Sequence, residues 1–207
     1  MTEKLVFYTN PMSRGRIVRW MLEEVGTPYE TELLDYGTTM KAPDYLAVNP
    51  MGKVPAIRHG DVIVTECAAI CAYLADAFPD AGLAPPPGDR GAYYRWLFFA
   101  AGPVEAAVIN QALGFEVPTE KERMAGYGTL GAVVNTLEQA LSGTNYIAGD
   151  RFSAADVYVG SHIGWGIQFG TIENRDTFAA YWARVSGRDA YRRADQMDNA
   201  LIPAEPE

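Results

Sequence analysis

This chain of 207 residues has few cysteines, few histidines and a deficit of basic residues. Its two cysteines cannot form the disulfide framework that stabilises small secreted domains. The two histidines, His59 and His162, are isolated, with no second ligand at the spacing of a zinc site, so we expect no metal. Lys and Arg number 17 against 26 Asp and Glu, and a net charge of -9 repels a phosphate backbone. We therefore expect no nucleic-acid partner.

A long apolar segment is also missing. The sequence has no run of about 18 apolar residues and no basic stretch followed by an apolar one at its start. It therefore predicts neither a membrane span nor a signal peptide, and we expect a cytoplasmic protein. What is present is an ordinary globular composition with 48% apolar residues. Cys67 and Cys71 lie four apart in a predicted helix, and we expect them to be buried free thiols.

The first part of the chain changes its apolar period several times, as alternating strands and helices do. Predicted strands cover residues 5–8, 29–34, 56–58 and 62–64, and predicted helices cover 13–25 and 66–78. The first of these helices places its apolar residues three and four apart and ends at Gly26. A loop or short helix follows the second strand. The order βαβ, then ββα, predicts an α/β domain over residues 1–80.

Three consecutive prolines, Pro85–Pro87, form a stiff linker, because proline neither donates a backbone hydrogen bond nor continues a helix. We place the linker at residues 81–89. Beyond it the sequence lacks strand signals, and helical spacing covers 90–113, 119–141, 153–166 and 177–193. Ser153 and Asp156 have the spacing of a capping box, to which we assign no chemistry. The second domain, 90–207, is therefore predicted to be all-α.

Three segments of the first domain would lie at one edge of such a sheet and could carry chemistry. The first is the turn from the first strand into the first helix, Tyr8–Gly15, where Ser13 stands at the helix start. Its hydroxyl can accept from the backbone as an N-cap, or it can donate to an anion held on the free N–H groups. These residues leave both interpretations open.

The second segment is the loop Asn49–Pro55, and the third is the passage from a strand into a helix at Glu66. A cis bond between Val54 and Pro55 would turn backbone groups outward to pair with an extended peptide, although trans is the usual state of such a bond. The helix dipole alone explains an acid at Glu66. That carboxylate could also take a ligand's ammonium while open N–H groups take its carboxylate, a combination that recognises an α-amino acid end.

Together these segments resemble the soluble glutathione S-transferase superfamily, in the form of a bacterial-like, serine-type member. The resemblance rests above all on Val54-Pro55 followed by Glu66-Cys67, and it extends over nearly the whole chain. It implies a thioredoxin-like N-terminal domain, βαβ-ββα with a mixed four-stranded sheet, joined to an all-α C-terminal domain. It also implies a cytoplasmic homodimer.

The resemblance implies a role for each residue of a glutathione-binding site. Pro55 would be cis, and the Val54 backbone would pair with the cysteinyl part of glutathione. Glu66 and the Cys67 backbone would hold the γ-glutamyl end, and Lys53 would meet the glycyl carboxylate. Many relatives have Ser where this chain has Cys67, so a side-chain hydrogen bond to the γ-glutamyl carboxylate is weak here.

Ser13 stands where serine-type members keep the hydroxyl that hydrogen-bonds the glutathione sulfur. Tyrosine-type members instead place a phenol at the end of the first strand, where this chain has Tyr8. We favour Ser13, because the field of the helix adds to its hydrogen bond. The electrophile would bind between the domains, beside Met12 and the helix that carries Tyr94 and Phe98. Most aromatic side chains of that helix are expected in the core or in a dimer contact.

The predicted activity is that of a glutathione transferase. Glutathione is the co-substrate, its thiolate attacks an apolar electrophile, and no metal takes part. The same site could run glutathione-dependent isomerisation or peroxide reduction. The alternative from another class is a non-catalytic member that binds glutathione or serves as a scaffold. The presence of Ser13, Val54-Pro55 and Glu66 together argues for the enzyme, because a scaffold has no need of all three.

Overall fold

The computed structural model describes residues 3–202, so the ends of the predicted domains, 1–2 and 203–207, lie outside the described residues. Contacts divide the chain into two compact units. One contains the chain up to Leu83 together with the part from Arg188 onward, and the other is Ala84–Gly187. The N-terminal stretch of the first unit therefore ends at Leu83, inside the segment predicted as a linker, 81–89.

A four-stranded sheet lies in the first unit, in the order β2-β1-β3-β4. The strands are β1 (Leu5–Thr9), β2 (Glu30–Leu33), β3 (Ala56–His59) and β4 (Val62–Thr65). β1 pairs in parallel with β2 and antiparallel with β3, which pairs antiparallel with β4. All five residues of β1 are buried, which explains its continuous apolar run. The predicted mixed sheet is confirmed.

The helices follow the predicted segments, with shifted ends and several breaks. They are α1 (Gly15–Val25), α2 (Pro43–Leu46), α3 (Cys67–Ala77), α4 (Gly91–Phe99), α5 (Glu105–Ala112), α6 (Leu130–Leu141), α7 (Ala154–Gln168), α8 (Asp176–Ser186) and α9 (Asp189–Asn199). Of the helices within residues 3–202, none is long and apolar enough to cross a membrane. Gly26 ends α1 as predicted, with a φ of 72° and its N–H donated to the Leu22 carbonyl. Cys67 and Cys71 on α3 are buried thiols that are not joined in a disulfide, as predicted.

The predicted helix over 119–141 is wrong, because glycines interrupt it. Residues Thr119–Met124 form a 3-10 helix, and α6 begins only later. Between them Gly128 has a φ of 67°, a conformation that glycine adopts without strain. Thr129 then caps α6 by accepting the Ala132 N–H at 3.1 Å. The cap and the glycine were both readable from the sequence, and together they outweigh the helical spacing.

The predicted helix over 90–113 contains a similar interruption. α4 and α5 are joined by a π-helical segment, Ala100–Val104, which contains Pro103. Because proline has no N–H to donate, the regular hydrogen bonding of an α-helix cannot continue through this residue. The single predicted helix is therefore two α-helices with an irregular turn between them.

The predicted helix over 177–193 is also two helices, with Gly187 at the break between α8 and α9. The sequence predicts this whole segment as part of the helical domain, whereas α9 packs against α1 in the first unit. A buried ion pair joins these two helices: Arg19 Nε lies 2.7 Å from Asp198 Oδ1, and both side chains are 1% exposed. Partners of opposite charge make such burial tolerable.

The capping box at the start of α7 is confirmed, and it is buried. The Asp156 carboxylate accepts the N–H groups of Ser153 at 2.9 Å and Ile147 at 2.8 Å, and the Tyr181 hydroxyl at 2.9 Å. The Ser153 hydroxyl donates to the same carboxylate at 3.1 Å. Burial raises the pKa of Asp156 to about 6 in spite of these donors. The box thus ties α7 to α8 and to the preceding loop.

Candidate functional site

The first candidate segment is the turn between β1 and α1. The Asn10 amide donates to the Leu34 carbonyl at 2.9 Å, and its Oδ1 accepts the Met12 N–H at 2.9 Å. The Ser13 hydroxyl donates to the Asn10 carbonyl at 2.7 Å and accepts the Gly15 N–H at 2.9 Å. Ser13 itself is half-buried. Both partners of this hydroxyl are therefore local, and α1 begins at Gly15 instead of at Ser13.

A close backbone approach shapes this turn. A Cβ on Gly15 would come within 1.9 Å of Thr9 Oγ1 and 2.9 Å of Ser13 Oγ, so only glycine fits there. The first turn of α1 thus packs directly against the end of β1. The Ser13 hydroxyl stands beside the positive end of the helix dipole, where negative charge is favoured.

The alternative hydroxyl, on Tyr8, has a different environment. Its side chain is 5% exposed and belongs to a core cluster with Met40 and Tyr45. The rings of Tyr8 and Tyr45 are 5.5 Å apart between centroids. Burial raises the pKa of Tyr8, while the nearby Arg58 partly offsets this effect. Tyr8 therefore belongs to the core, whereas Ser13 is partly open to solvent.

The second candidate segment, the loop 49–55, is held by hydrogen bonds to its backbone. Asn49 is buried, donates its amide to the Lys53 carbonyl at 2.8 Å and accepts the Met51 N–H at 3.1 Å. The Tyr45 hydroxyl donates to the same Lys53 carbonyl at 2.5 Å. Burial raises the pKa of Tyr45 to about 12, which keeps the phenol protonated. The loop therefore has a defined shape, and the Lys53 side chain is exposed on it.

The Val54–Pro55 peptide bond at the entry of β3 is cis, as the resemblance implies. Pro55 is buried, and Val54 is half-buried against the core cluster that contains Tyr8. Val54 lies before the first residue of β3, so its backbone is outside the ladder between β3 and β1. An extended peptide can pair with backbone in such a position.

The third segment is the turn from β4 into α3. Glu66 has a φ of 68° and a ψ of 119°, and it is the one non-glycine residue with a positive φ within the described range. Such a conformation costs about 1–3 kcal/mol and is found mainly at functional sites. Its side chain is exposed. Cys67 begins α3, and its thiol donates to the Arg14 carbonyl with Sγ 3.7 Å from the oxygen. This contact joins the third segment to the Ser13 turn.

The strand pairing brings the three segments to one end of the sheet. Tyr8 pairs with Ala56, and Ala56 pairs with Thr65. The chain therefore leaves β1 into the Ser13 turn, enters β3 from Pro55 and leaves β4 into the third segment at the same end. The three segments therefore lie at the same end of the sheet, as the sequence predicts.

The residues predicted beside an electrophile are exposed. Met12 is 70% exposed in the turn before α1. On α4, Tyr94 is 41% exposed and Phe98 is 72% exposed, whereas Tyr93 and Trp96 are buried. Tyr94 and Phe98 are four residues apart and share one face of the helix. Helical spacing thus divides the aromatic residues of α4 between core and surface.

Four residues that hold the first two segments have no role predicted from the sequence. These residues are Asn10, Arg16, Tyr45 and Asn49. The two asparagines carry a local signal, because an asparagine side chain often accepts the N–H two residues ahead. Tyr45 and Arg16 carry no such signal, because their partners are set by the folding of more distant parts of the chain.

A mixed sheet in the order βαβ-ββα, with a cis-proline at the entry of β3 and helices α4–α8 in a second unit, defines a thioredoxin-like protein with an all-α extension. The family model of the glutathione S-transferase N-terminal domain matches residues 12–77. The model of the glutathione S-transferase C-terminal domain matches residues 95–189. The chain belongs to the glutathione S-transferase family.

Individual relatives are similar over most of their length. Glutathione S-transferase F10 of Arabidopsis thaliana is 30% identical over 190 residues, which cover 83% of this chain and 86% of the relative. A solved glutathione transferase from Methylococcus capsulatus str. Bath is 30% identical, with a TM-score of 0.79 over 95% of this chain and 99% of its own. A sphingomonad glutathione S-transferase complexed with glutathione is 28% identical, with a TM-score of 0.76 over 94% of this chain and 98% of its own.

Proposed function

We propose that this chain is a glutathione transferase, in which the thiolate of bound glutathione attacks an apolar electrophile. The observation that carries the proposal is the convergence of the Ser13 turn, the cis Val54–Pro55 bond and the Glu66 turn at one end of the sheet. The sphingomonad relative was solved in complex with glutathione. Membership of the same family supports the same ligand for this chain.

Glutathione binds chiefly to backbone groups in this proposal. The Val54 backbone pairs with the cysteinyl part as an added strand. The Glu66 carboxylate takes the γ-glutamyl ammonium, while N–H groups at the start of α3, from Cys67 onward, take the γ-glutamyl carboxylate. Lys53 takes the glycyl carboxylate. Because the chain has a net charge of -9, these local groups have to offset the general repulsion of an anionic ligand.

Ser13 stabilises the thiolate in this proposal. Its hydroxyl donates to the Asn10 carbonyl, and rotation of the hydroxyl proton redirects that donor to a bound sulfur, while the Gly15 N–H holds the oxygen. A free thiol has a pKa of about 8.5, and lowering it by about two units takes about 2.7 kcal/mol. A charge-assisted hydrogen bond beside a helix N-terminus supplies energy of that order. The thiolate then predominates at neutral pH.

The electrophile lies against the exposed side chain of Met12, in the same turn as Ser13. Holding it beside the thiolate converts a bimolecular reaction into an effectively unimolecular one, which contributes more to the rate than the change in thiol pKa. The sulfur forms a bond to carbon, and a leaving group such as halide departs with the electron pair of the broken bond.

We also propose that two copies of the chain pair. Met51 is 69% exposed on the loop 49–55, whose backbone Asn49 holds in place. A methionine side chain is flexible and adapts to the surface that it meets, which suits a protein contact. Sedimentation velocity would show a species of twice the chain mass, and a single chain mass at every concentration would contradict this part of the proposal.

Calorimetry with S-hexylglutathione tests binding, and turnover of a simple aryl halide with glutathione tests catalysis. We expect the wild-type protein to do both. Ser13→Ala should bind S-hexylglutathione unchanged, because that ligand has no thiol. It should lose about 25-fold in turnover at pH 7, because a rise of about two units in the thiol pKa lowers the thiolate fraction from about three quarters to about 3%. Tyr8→Phe is the matched control, since it removes the other hydroxyl. Binding without turnover of any common electrophile would contradict the enzyme, and a loss confined to Tyr8→Phe would contradict the choice of Ser13.

A further inference from the structure

Arg16, near the start of α1, joins the Ser13 turn to α9. Its Nε donates to the Pro11 carbonyl at 2.6 Å, and its backbone N–H donates to the Ser13 carbonyl at 3.3 Å. The two terminal nitrogens of its side chain reach α9. Nη1 donates to Asp195 Oδ1 at 3.1 Å, and Nη2 donates to Asn199 Oδ1 at 2.8 Å. One guanidinium therefore holds the turn on one side and α9 on the other.

On α9, the two partners of Arg16 also bind each other. The Asn199 amide donates to Asp195 Oδ2 at 2.9 Å, so these two residues, one helical turn apart, orient each other. The Arg16 side chain is 21% exposed and that of Asp195 is 40% exposed, so water screens their ion pair only in part. The buried pair of Arg19 and Asp198 fixes α9 against α1 close by. The position of the Arg16 guanidinium is therefore set by α9.

We infer that Asp195 and Asn199 are positioning residues for the proposed thiolate-stabilising turn, because through Arg16 they hold the Pro11 carbonyl and with it the direction of the Ser13 hydroxyl. The inference rests on the proposed function, since it concerns the same site. Both positioning residues lie outside the two segments that match the family models, 12–77 and 95–189. Through Arg16, α9 thus supports the chemistry proposed for the turn between β1 and α1.

Loss of the Asp195 carboxylate removes the ionic partner of Arg16, which turns toward water and releases the Pro11 carbonyl. The Ser13 hydroxyl then spends more time in directions that do not suit the sulfur. A misplacement of about 1 Å can lower a rate by up to about 100-fold. We expect kcat to fall by about tenfold and the KM for glutathione to change by less than about twofold, because the other two segments keep their geometry.

The test compares Asp195→Ala with two control variants on the same helix. Arg193 pairs with Glu23 at 3.0 Å near the far end of α1, so Arg193→Ala removes a contact between α9 and α1 without touching the turn. Asp189 pairs with Arg192 within α9, so Asp189→Ala removes the same charge as Asp195→Ala. We expect similar melting temperatures for all three variants and a fall in kcat for Asp195→Ala alone. Asp195→Asn keeps an acceptor for the guanidinium and should recover part of the loss.

Amide hydrogen exchange tests the turn between β1 and α1 without an activity assay. The N–H groups of Met12 and Gly15 are both bonded within the turn. We expect them to exchange about tenfold faster in Asp195→Ala than in Arg193→Ala. Equal exchange in these two variants, or equal losses of kcat, would overturn the inference. A wild-type protein that neither binds nor converts glutathione would refute the proposed function, and the exchange comparison would still decide the role of α9.

Discussion

Two serines stand at helix starts in this chain, and their surroundings are opposite. Ser13, before α1, is half-buried, donates to the Asn10 carbonyl and accepts the Gly15 N–H. Ser153, before α7, is 3% exposed, and both its N–H and its hydroxyl donate to the buried Asp156 carboxylate. The first hydroxyl has neutral partners close in sequence, and the second has a charged partner that is shared with distant residues.

The difference lies in what each hydroxyl can still do. A donor bonded to a neutral, partly exposed carbonyl can exchange that acceptor for a thiolate, which is a stronger one. A donor bonded to a buried carboxylate is fixed, because its departure leaves the charge with fewer partners in a medium that solvates it poorly. The same residue type therefore suits catalysis at one helix start and stability at the other.

Asp156→Ala should have the largest effect, and that effect should fall on stability. The change leaves the N–H groups of Ile147 and Ser153 and the Tyr181 hydroxyl without their buried acceptor. We expect the free energy of unfolding at neutral pH to fall by about 3–5 kcal/mol in urea denaturation. Ser153→Ala removes only one donor and should lose about 1 kcal/mol. Equal losses in the two variants would show that Asp156 does not organise the box.

The pH dependence of the free energy of unfolding measures the effect of burying the Asp156 carboxyl. The pKa of Asp156 is raised from 3.8 to about 6 in the folded protein. The folded state therefore binds this proton more tightly, so the resulting stability is complete below about pH 4 and is lost as the pH rises through about 6. We expect the stability difference between wild type and Asp156→Ala to shrink by about 2–3 kcal/mol over this range. A difference independent of pH would contradict the raised pKa.

Ser13→Ala should lower activity and leave stability nearly unchanged, whereas the changes at the capping box lower stability. The hydroxyl makes two local hydrogen bonds at a half-buried position, so the free energy of unfolding should change by no more than about 1 kcal/mol. The value of kcat/KM at pH 7 should fall by about 25-fold, since the thiolate loses its donor and its pKa rises by about two units. Urea denaturation and steady-state kinetics on one preparation measure both. A large loss of stability with full activity would place Ser13 in the same class as Ser153.

Tyr8→Phe should have the smallest effect. Tyr8 contributes its ring to the core cluster with Tyr45, and phenylalanine keeps that ring. We expect kcat/KM to stay within about threefold of wild type, because a change of that size corresponds to less than about 1 kcal/mol. The measurement is the same steady-state assay. A loss as large as that of Ser13→Ala would mean that the two hydroxyls share the task.

The candidate segments could be predicted because each carries a local signal. Val54-Pro55 marks a strand entry, Glu66 marks the passage from β4 into α3, and Ser13 marks a helix start. The docking of α9 could not be predicted, because Arg16 and Asp195 are far apart in sequence and neither is unusual in a solvent-exposed helix face. The spacing of apolar residues also predicts continuous helices across the breaks at Gly128 and Gly187, because that spacing persists across a turn.

The pKa of the glutathione thiol in the complex shows whether the Ser13 hydroxyl stabilises the thiolate. The ultraviolet absorbance of the bound thiolate, followed against pH, gives this value for wild type and for Ser13→Ala. We predict a pKa of about 6.5 in wild type and a return toward about 8.5, the value of a free thiol, in Ser13→Ala. The same low pKa in both proteins would contradict the claim that the Ser13 hydroxyl stabilises the thiolate.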